Sequence, residues 1–320
     1  MVDTININNI DAIKFFNEKM VCKELPVFLK SRFLRSLGLR ILGFLAWRDN
    51  FFNLREMTQG IIPGRFQSNS FKNKQYEYIK KTADKIFREN NFYLTNEIKL
   101  FNKPFSPAKE EASVDSWLNF FLLFFQIVIS DQYHLKDFIK KDSVVIDAGA
   151  NIGIFSAMAA KLYQQGMIYS FEPGRIAFKA LKKNMSFYEN VALYNSGLGE
   201  ISGNARFMTG NNTAANSVLD YEEGIDFATI ENVKIDNIDN FVEANNLKRV
   251  DFVKIDTEGY EEKVIKGAKE TIKKFSPVMA VSAYHKPEDK HLIPLLVLSI
   301  NPLYKYKLYK DVEDIFLFWK

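Results

Sequence analysis

Apolar and polar residues follow two regimes along this chain. From Ser143 onward, short β-branched or aromatic runs alternate with stretches whose apolar residues recur every three to four positions. Val144–Ile146, Met167–Phe171, Val191–Asn195, Asp251–Ile255 and Val278–Ala283 read as strands. Residues 153–164, 176–188, 235–245 and 260–273 between them read as helices; Phe178, Leu181 and Met185 form one inner face, and Val264, Ile265 and Ala268 another. Residues 197–232, rich in Gly and Asn, read as turns and short strands. A helix around Leu292–Ser299 precedes two late strands, Tyr304–Leu308 and Asp314–Phe318, patterned as an antiparallel hairpin. The repeated β-α-β order predicts an α/β fold, a doubly wound, mostly parallel sheet with helices on both faces.

The first 110 residues are patterned differently. Asp11–Met20 and Lys72–Phe87 have helical spacing, and Pro26–Phe52 sets Arg32, Arg35, Arg40 and Arg48 among many aromatic and aliphatic residues. This predicts a mainly helical N-terminal region, 1–110, followed across the linker FNKPFSPAKEEAS by an α/β domain, 111–320. The Pro26–Phe52 stretch reads as a helical subdomain with its arginines in water rather than a helix lying on a membrane. Gly38 and Gly43 weaken the helix, and its apolar face is wide enough to be core. A lid over a substrate groove, a homodimer interface and a membrane-facing cap are three roles its arginines and aromatics suit. Phe120–Ile129 is interrupted by Gln126 and is shorter than the ~20 apolar residues a bilayer span needs, so it reads as a buried helix or strand.

Composition narrows the class. An apolar fraction of 47% and a charged fraction of 26% belong to a folded globular protein, and a net charge of +4 does not require a nucleic-acid partner. Cys22 is the single cysteine, which excludes an intrachain disulfide or thiolate cluster and suits a reducing compartment. The polar, acidic start MVDTININN lacks the basic segment of a secretory signal, so the expected location is cytoplasmic.

The candidate chemistry begins where the first strand ends. Asp147-Ala148-Gly149-Ala150-Asn151-Ile152-Gly153 is a glycine turn between a strand and a helix, the place where open α/β sheets bind ligands. The nicotinamide fingerprint G-x-G-x-x-G would need a glycine where Asn151 stands, and the acid Asp147 disfavours a pyrophosphate. Glu172 ends the second strand 25 residues after Asp147, where a carboxylate can accept both hydroxyls of a ribose.

Four separated strings, VVIDAGANIGIFS, the FEP of Phe171–Pro173, VDFVKIDTEGYEEKVIKGA and YHKPED, resemble the FkbM family of S-adenosylmethionine-dependent methyltransferases over roughly residues 125–320. The resemblance implies a seven-stranded class I methyltransferase sheet and O-methylation, often of sugar hydroxyls in glycans, glycolipids or glycosylated natural products. It also implies that Asp147, Gly149, Asn151 and Gly153 line the methionine end of S-adenosylmethionine, that Glu172 holds its ribose, and that Asn195–Gly199 lies on the adenine side.

A second constellation closes the later strands. Asp256 and Glu258 follow the fourth strand and His285 follows the fifth; both strand ends neighbour the first in a doubly wound sheet. A sugar hydroxyl is a poor nucleophile that needs a base as its bond to the methyl group forms. His285, with an ordinary pKa near 6.5, is the expected general base. Asp256 or Glu258 orients the imidazole or binds the acceptor, and Asp256 also reaches the cofactor side. Lys254 either forms a buried ion pair with Asp256 or Glu172 or binds substrate, and Tyr284 can stack on a sugar face. Asp256, Glu258 and His285 could hold Mg²⁺, yet Ser282-Ala283 offers no acidic pair at the next strand end, so no metal is expected. The string Asp256-Thr257-Glu258-Gly259 lacks the aromatic clamp of adenine-amine methyltransferases, and its acids would repel phosphates, which argues against nucleic acid. The expected acceptor is a sugar, nucleotide sugar or glycoconjugate. A nicotinamide oxidoreductase and a non-catalytic binding or docking module are the alternatives.

Overall fold

The computed structural model describes residues 6–7, 98–101, 103–106, 120, 123–129, 131–138, 140–209, 217–218, 229–310 and 313–320. The chain forms two compact units, Met1–Ser130 and Asp131–Lys320; the sequence reading set its division at 110/111. In the first unit, strands Asn6–Ile7, Ile98–Leu100 and Lys103–Phe105 form a small sheet. Phe120–Ile129 is helical where described, ending in a wide turn over Phe125–Ile129, and Phe120 and Phe124 are buried. The helices expected at Asp11–Met20, Pro26–Phe52 and Lys72–Phe87 lie outside the described residues.

The second unit carries a seven-stranded sheet. In chain order its elements are β1 (Val144–Ala148), α1 (Ile154–Leu162), β2 (Met167–Phe171), α2 (Arg175–Met185), β3 (Val191–Tyr194), α3 (Ile238–Ala244), β4 (Phe252–Ile255), α4 (Glu261–Lys266), α5 (Lys269–Phe275), β5 (Val278–Ser282), α6 (Asp289–Ile300), β6 (Lys305–Tyr309) and β7 (Ile315–Trp319). Strand order is β6-β7-β5-β4-β1-β2-β3, with β7 antiparallel to both neighbours and the remaining pairs parallel. Gly197–Leu198, Gly203–Thr209, Ser217–Val218 and Thr229–Asp236 form a separate four-stranded sheet between β3 and α3.

The period of two along the strands sorts the sheet into two faces. Ile146, Ala148, Val253, Ile255, Met279, Val281, Phe316 and Phe318 join one core with Phe241, Val264, Ile272 and Val297 from the helices. Each such fully buried apolar side chain contributes about 1.5–3 kcal/mol by leaving water. The alternate positions Asp147, Lys254 and Ser282 fall on the other face, where Phe155 of α1 packs on Phe252 of β4 at 6.3 Å. Ser170 of β2 lies opposite Asp147 and Asp147 opposite Lys254, so polar side chains run in a row across three adjacent strands inside an otherwise apolar layer.

The single helix expected over 260–273 is two. At the break, a Cβ on Gly267 would lie 1.9 Å from the Gly199 carbonyl oxygen, so this close backbone approach requires glycine. The Gly267 carbonyl accepts Asp239 N–H at 2.9 Å, and the Asp239 carboxylate caps α5 by accepting Glu270 and Thr271 N–H at 2.9 and 2.8 Å.

Candidate functional site

The turn after β1 is built from left-handed residues: Gly149 at φ 81°, Asn151 at 49° and Gly153 at 94°. Gly149 and Ala150 donate their N–H groups to the Phe171 carbonyl at 3.1 and 2.9 Å, tying the turn to the end of β2. A Cβ on Gly149 would sit 1.9 Å from the Asp256 carbonyl oxygen, so the chain after β4 lies directly against this turn. Glu172 accepts Asn151 N–H at 2.9 Å on one carboxylate oxygen and Gly174 N–H at 2.8 Å on the other. Burial pushes its pKa up to about 7, against the pull of those two N–H groups and of Lys254. Asn195 donates its side-chain amide to the Glu172 and Pro173 carbonyls at 2.9 and 3.1 Å and so shapes the loop after β2. The buried Asn151 Oδ1 has no hydrogen-bond partner among the described residues. An unfilled acceptor beside a recessed carboxylate fits a ligand bearing hydroxyl or ammonium donors, as S-adenosylmethionine does.

Lys254 and Asp147 lie on the inner side of this turn. They are register partners on adjacent parallel strands, and Lys254 Nζ meets Asp147 Oδ1 at 3.1 Å with side chains 4% and 0% exposed. Ser156 Oγ donates to the other Asp147 oxygen at 2.7 Å and pairs with Ser170 Oγ at 2.9 Å. Lys254 also donates to the Gly149 carbonyl at 2.6 Å. The buried pair is therefore Lys254–Asp147, and neither Asp256 nor Glu172 is its partner, because strand register decides which charges meet. Both residues support the turn from beneath, and neither presents its charge at a ligand surface.

On the outer side, acids converge on His285. Its Nδ1 faces Glu261 Oε1 at 3.0 Å; its Nε2 faces Glu258 Oε2 at 3.2 Å and Asp256 Oδ1 at 3.7 Å. Glu258 reaches the imidazole from a left-handed conformation, φ 54°, which costs a non-glycine residue about 1–2 kcal/mol. Glu261, in the first turn of α4, reaches back to accept Thr257 and Gly259 N–H at 2.8 and 3.2 Å, so one carboxylate both orders the Asp256–Gly259 turn and aims the imidazole. Asp256 accepts Tyr133 Oη–H at 2.7 Å and Tyr284 Oη–H at 3.3 Å.

The electrostatics follow from this crowding. Burial works against the charge on His285, but hydrogen bonds to Glu258 and Glu261 and the charge of Asp256 overrule it, and the pKa is pushed up to about 11. Burial likewise opposes the charge on Asp256, and Lys254, His285 and Tyr133 together hold its carboxyl below the ordinary range. Glu258 is raised, burial being the main cause. Sequence reasoning anticipated a neutral imidazole near pH 7; the acids around it make His285 an imidazolium there instead.

Four members of this cluster were not visible as such in sequence. Glu261 reads in sequence as an ordinary acid in the first turn of a helix. Tyr133 precedes the sheet, Tyr284 was assigned only to stacking, and Glu313 lies in the β6–β7 loop. Glu313 hydrogen-bonds Tyr284, and burial followed by the charge of Asp256 pushes its pKa up to about 7. Ligand atoms of Asp256, Glu261 and His285 lie within 4.8 Å of one another, so Glu261 replaces Glu258 in the set with metal-like spacing. No helix among the described residues is long and apolar enough to cross a membrane.

A methyltransferase 1 from Beauveria bassiana is 30% identical over 161 residues, 44% of this chain and 64% of that protein. The 2-O-methyltransferase NoeI from Sinorhizobium fredii is 23% identical over 148 residues, 42% of this chain and 61% of NoeI. The chain thus spans about three-fifths of the curated relatives it matches. A methyltransferase FkbM of known structure from Methylobacillus flagellatus superposes with a TM-score of 0.44 at 21% identity, covering 67% of this chain and 56% of that one. The model of the methyltransferase FkbM domain matches residues 147–314, from the glycine turn to the last hairpin, and so the chain belongs to the FkbM methyltransferase family.

Proposed function

We propose that the protein is an O-methyltransferase that moves a methyl group from S-adenosylmethionine to a hydroxyl of a sugar, nucleotide sugar or glycoconjugate. The observation that carries this reading is the meeting of two half-sites at one sheet edge. The Gly149 turn, with Glu172 and the unpartnered Asn151 Oδ1, touches the backbone of Asp256, whose side chain belongs to the His285 cluster. When bound, S-adenosylmethionine supplies a methyl group on a cationic sulfur. Gly149, Asn151 and Gly153 would line its methionine end, Glu172 would hold the ribose hydroxyls, and Asn195 would keep the neighbouring loop in place.

The protein's own groups then have defined tasks. Asp256, ionised and held by two tyrosine hydroxyls, is placed to accept a hydrogen bond from the acceptor hydroxyl and orient its oxygen. His285, in contact with Asp256, Glu258 and Glu261 at 3.0–3.7 Å, holds these carboxylates together as one wall around the acceptor. An acidic wall also suits hydroxyls better than phosphates, so a nucleotide sugar would present its sugar here and keep its diphosphate away. NoeI, by name a 2-O-methyltransferase, is a relative with the same type of acceptor atom. The test is a methyl-transfer screen with methyl-labelled S-adenosylmethionine against nucleotide sugars and glycan extracts. Label in a base-stable ether supports the reading; label confined to amines or esters overturns it.

A further inference from the structure

The acceptor's proton needs a destination, and most acids at the site are already committed. Glu261 is 1% exposed and spends one carboxylate oxygen on two backbone N–H groups and the imidazole. Glu258 is paired with His285 Nε2. Asp256 is stabilised as the anion by the Tyr133 phenol and by the charges of Lys254 and His285, which makes it a weak base. His285 already carries its proton.

Glu313 is left, and the topology brings it to the same edge. Strand β7 runs antiparallel to β5 with Ile315 opposite Ser282, so the residues just before β7 lie beside those just after β5. Ala283 N–H donates to the Asp314 carbonyl at 2.8 Å, which sets Glu313 beside Tyr284. Its carboxylate competes with Asp256 for the single Tyr284 hydroxyl proton and lies within the field of Asp256, Glu258 and His285, and Tyr133 also feels its charge. The adjacent Asp314 is neutralised by Lys290 at 2.5 Å and competes for none of these contacts. The cation whose charge acts on Glu313 is the imidazolium. A carboxylate crowded by acids gains most from taking a proton, and its pKa near 7 agrees with that role.

We propose that Glu313 is the catalytic base of the site: as the acceptor oxygen bonds to the methyl carbon and the carbon–sulfur pair of electrons leaves with sulfur, the hydroxyl proton passes to the Glu313 carboxylate. The balance is favourable. One positive charge disappears at sulfur as one negative charge disappears at Glu313, so the pocket begins and ends at the same net charge. His285, fixed by Glu261 and Glu258, is then a positioning residue that keeps Asp256 and Glu258 in place.

This inference rests on the proposed use of S-adenosylmethionine, and its test does not need the acceptor. S-adenosylmethionine and S-adenosylhomocysteine share every ionisable group and differ at sulfur, cationic in one and neutral in the other. Calorimetric titration of each at pH 7, in phosphate and in Tris, counts the protons exchanged on binding. The product form is expected to bind with about half a proton more taken up than the methyl donor, as a group titrating near 7 allows. Glu313→Gln should abolish that difference and weaken the methyl donor relative to the product form by about 3–10-fold, roughly the worth of one solvent-screened charge pair. An undiminished difference in Glu313→Gln overturns the assignment. Should that variant bind neither molecule, Glu313→Asp, which keeps the carboxylate, is expected to restore both binding and proton uptake, and its failure to do so also overturns the assignment. If the unaltered protein binds neither, the cofactor reading itself is lost, and this proposal goes with it.

Discussion

The inner and outer sides of the Gly149 turn are built from the same residue types and behave oppositely. Inside, one lysine meets one aspartate, two serines complete the network, and water is excluded. Outside, Asp256, Glu258, Glu261 and Glu313 surround a single imidazole, with partial access to solvent. The difference is one of balance. A buried pair with equal charges has no reason to exchange protons and serves as a strut. A cluster in which acids outnumber cations must hold protons to exist, and so can release and collect them. The turn between the two is thus rigid on one side and chemically responsive on the other, which a methyl-transfer site requires: a fixed donor and a base that changes state.

The largest effect expected is on the outer side. His285→Ala should lower methyl-transfer turnover by about 10²-fold while S-adenosylhomocysteine affinity stays within about threefold of the parent, since removing the imidazole leaves Glu258 and Asp256 unanchored. Turnover within a factor of three of the parent would take His285 out of the reaction altogether. The inner side should respond in the opposite sense. Lys254→Met leaves the Asp147 carboxylate buried without its cation and should cost about 3–5 kcal/mol in urea unfolding, whereas the double change with Asp147→Leu should recover most of that loss. If Lys254→Met folds with parental stability and fails only in catalysis, the strut interpretation fails, and the two sides are not different in kind.

How far this division could be foreseen depends on what each side draws on. The alternation of apolar runs specified all seven strands to within a residue or two, because a parallel sheet buried on both faces reads as continuous β-branched runs. Asp256 and His285 were legible because strand ends of a doubly wound sheet converge. Lys254–Asp147 was not, since pairing across β1 and β4 depends on register, and periodicity contains no information about register. Glu261 looked like an ordinary first-turn acid, and Glu313 like a loop residue far along the chain; only the antiparallel return of β7 puts it beside Tyr284. The rise in the imidazole's pKa was not legible for the same reason, because sequence supplies the neighbours' identities without their distances.

A smaller effect separates cofactor recognition from both sides. Glu172→Gln keeps an acceptor oxygen and a similar shape but removes the charge. It should weaken S-adenosylhomocysteine by about 10-fold, a loss near 1.4 kcal/mol, as expected when a charged acceptor of two hydroxyls becomes neutral. The melting temperature should fall modestly, because the amide offers one acceptor oxygen where the carboxylate accepts two backbone N–H groups. Unaltered affinity would move the ribose away from Glu172.

The smallest effect is a pH dependence of stability, and its sign is fixed by the shifts. Glu172 and Glu313 are raised from the ordinary 4.5 to about 7, so the folded state binds more protons than the unfolded chain across that window and loses stability as pH rises through it. His285 is raised from 6.5 to about 11, so its contribution is complete below 6.5 and drains away as pH climbs towards 11. The two windows join near neutrality. Stability should therefore decline steadily from about pH 5 to pH 10, by roughly 2–4 °C in Tm for each kcal/mol lost. His285→Gln should flatten the decline above pH 7 and leave the part below it intact, while Glu172→Gln should do the reverse. A decline above pH 7 that survives His285→Gln would mean that the acids do not hold the imidazolium, and the contrast between a balanced inner side and a proton-holding outer side would lose its electrostatic basis.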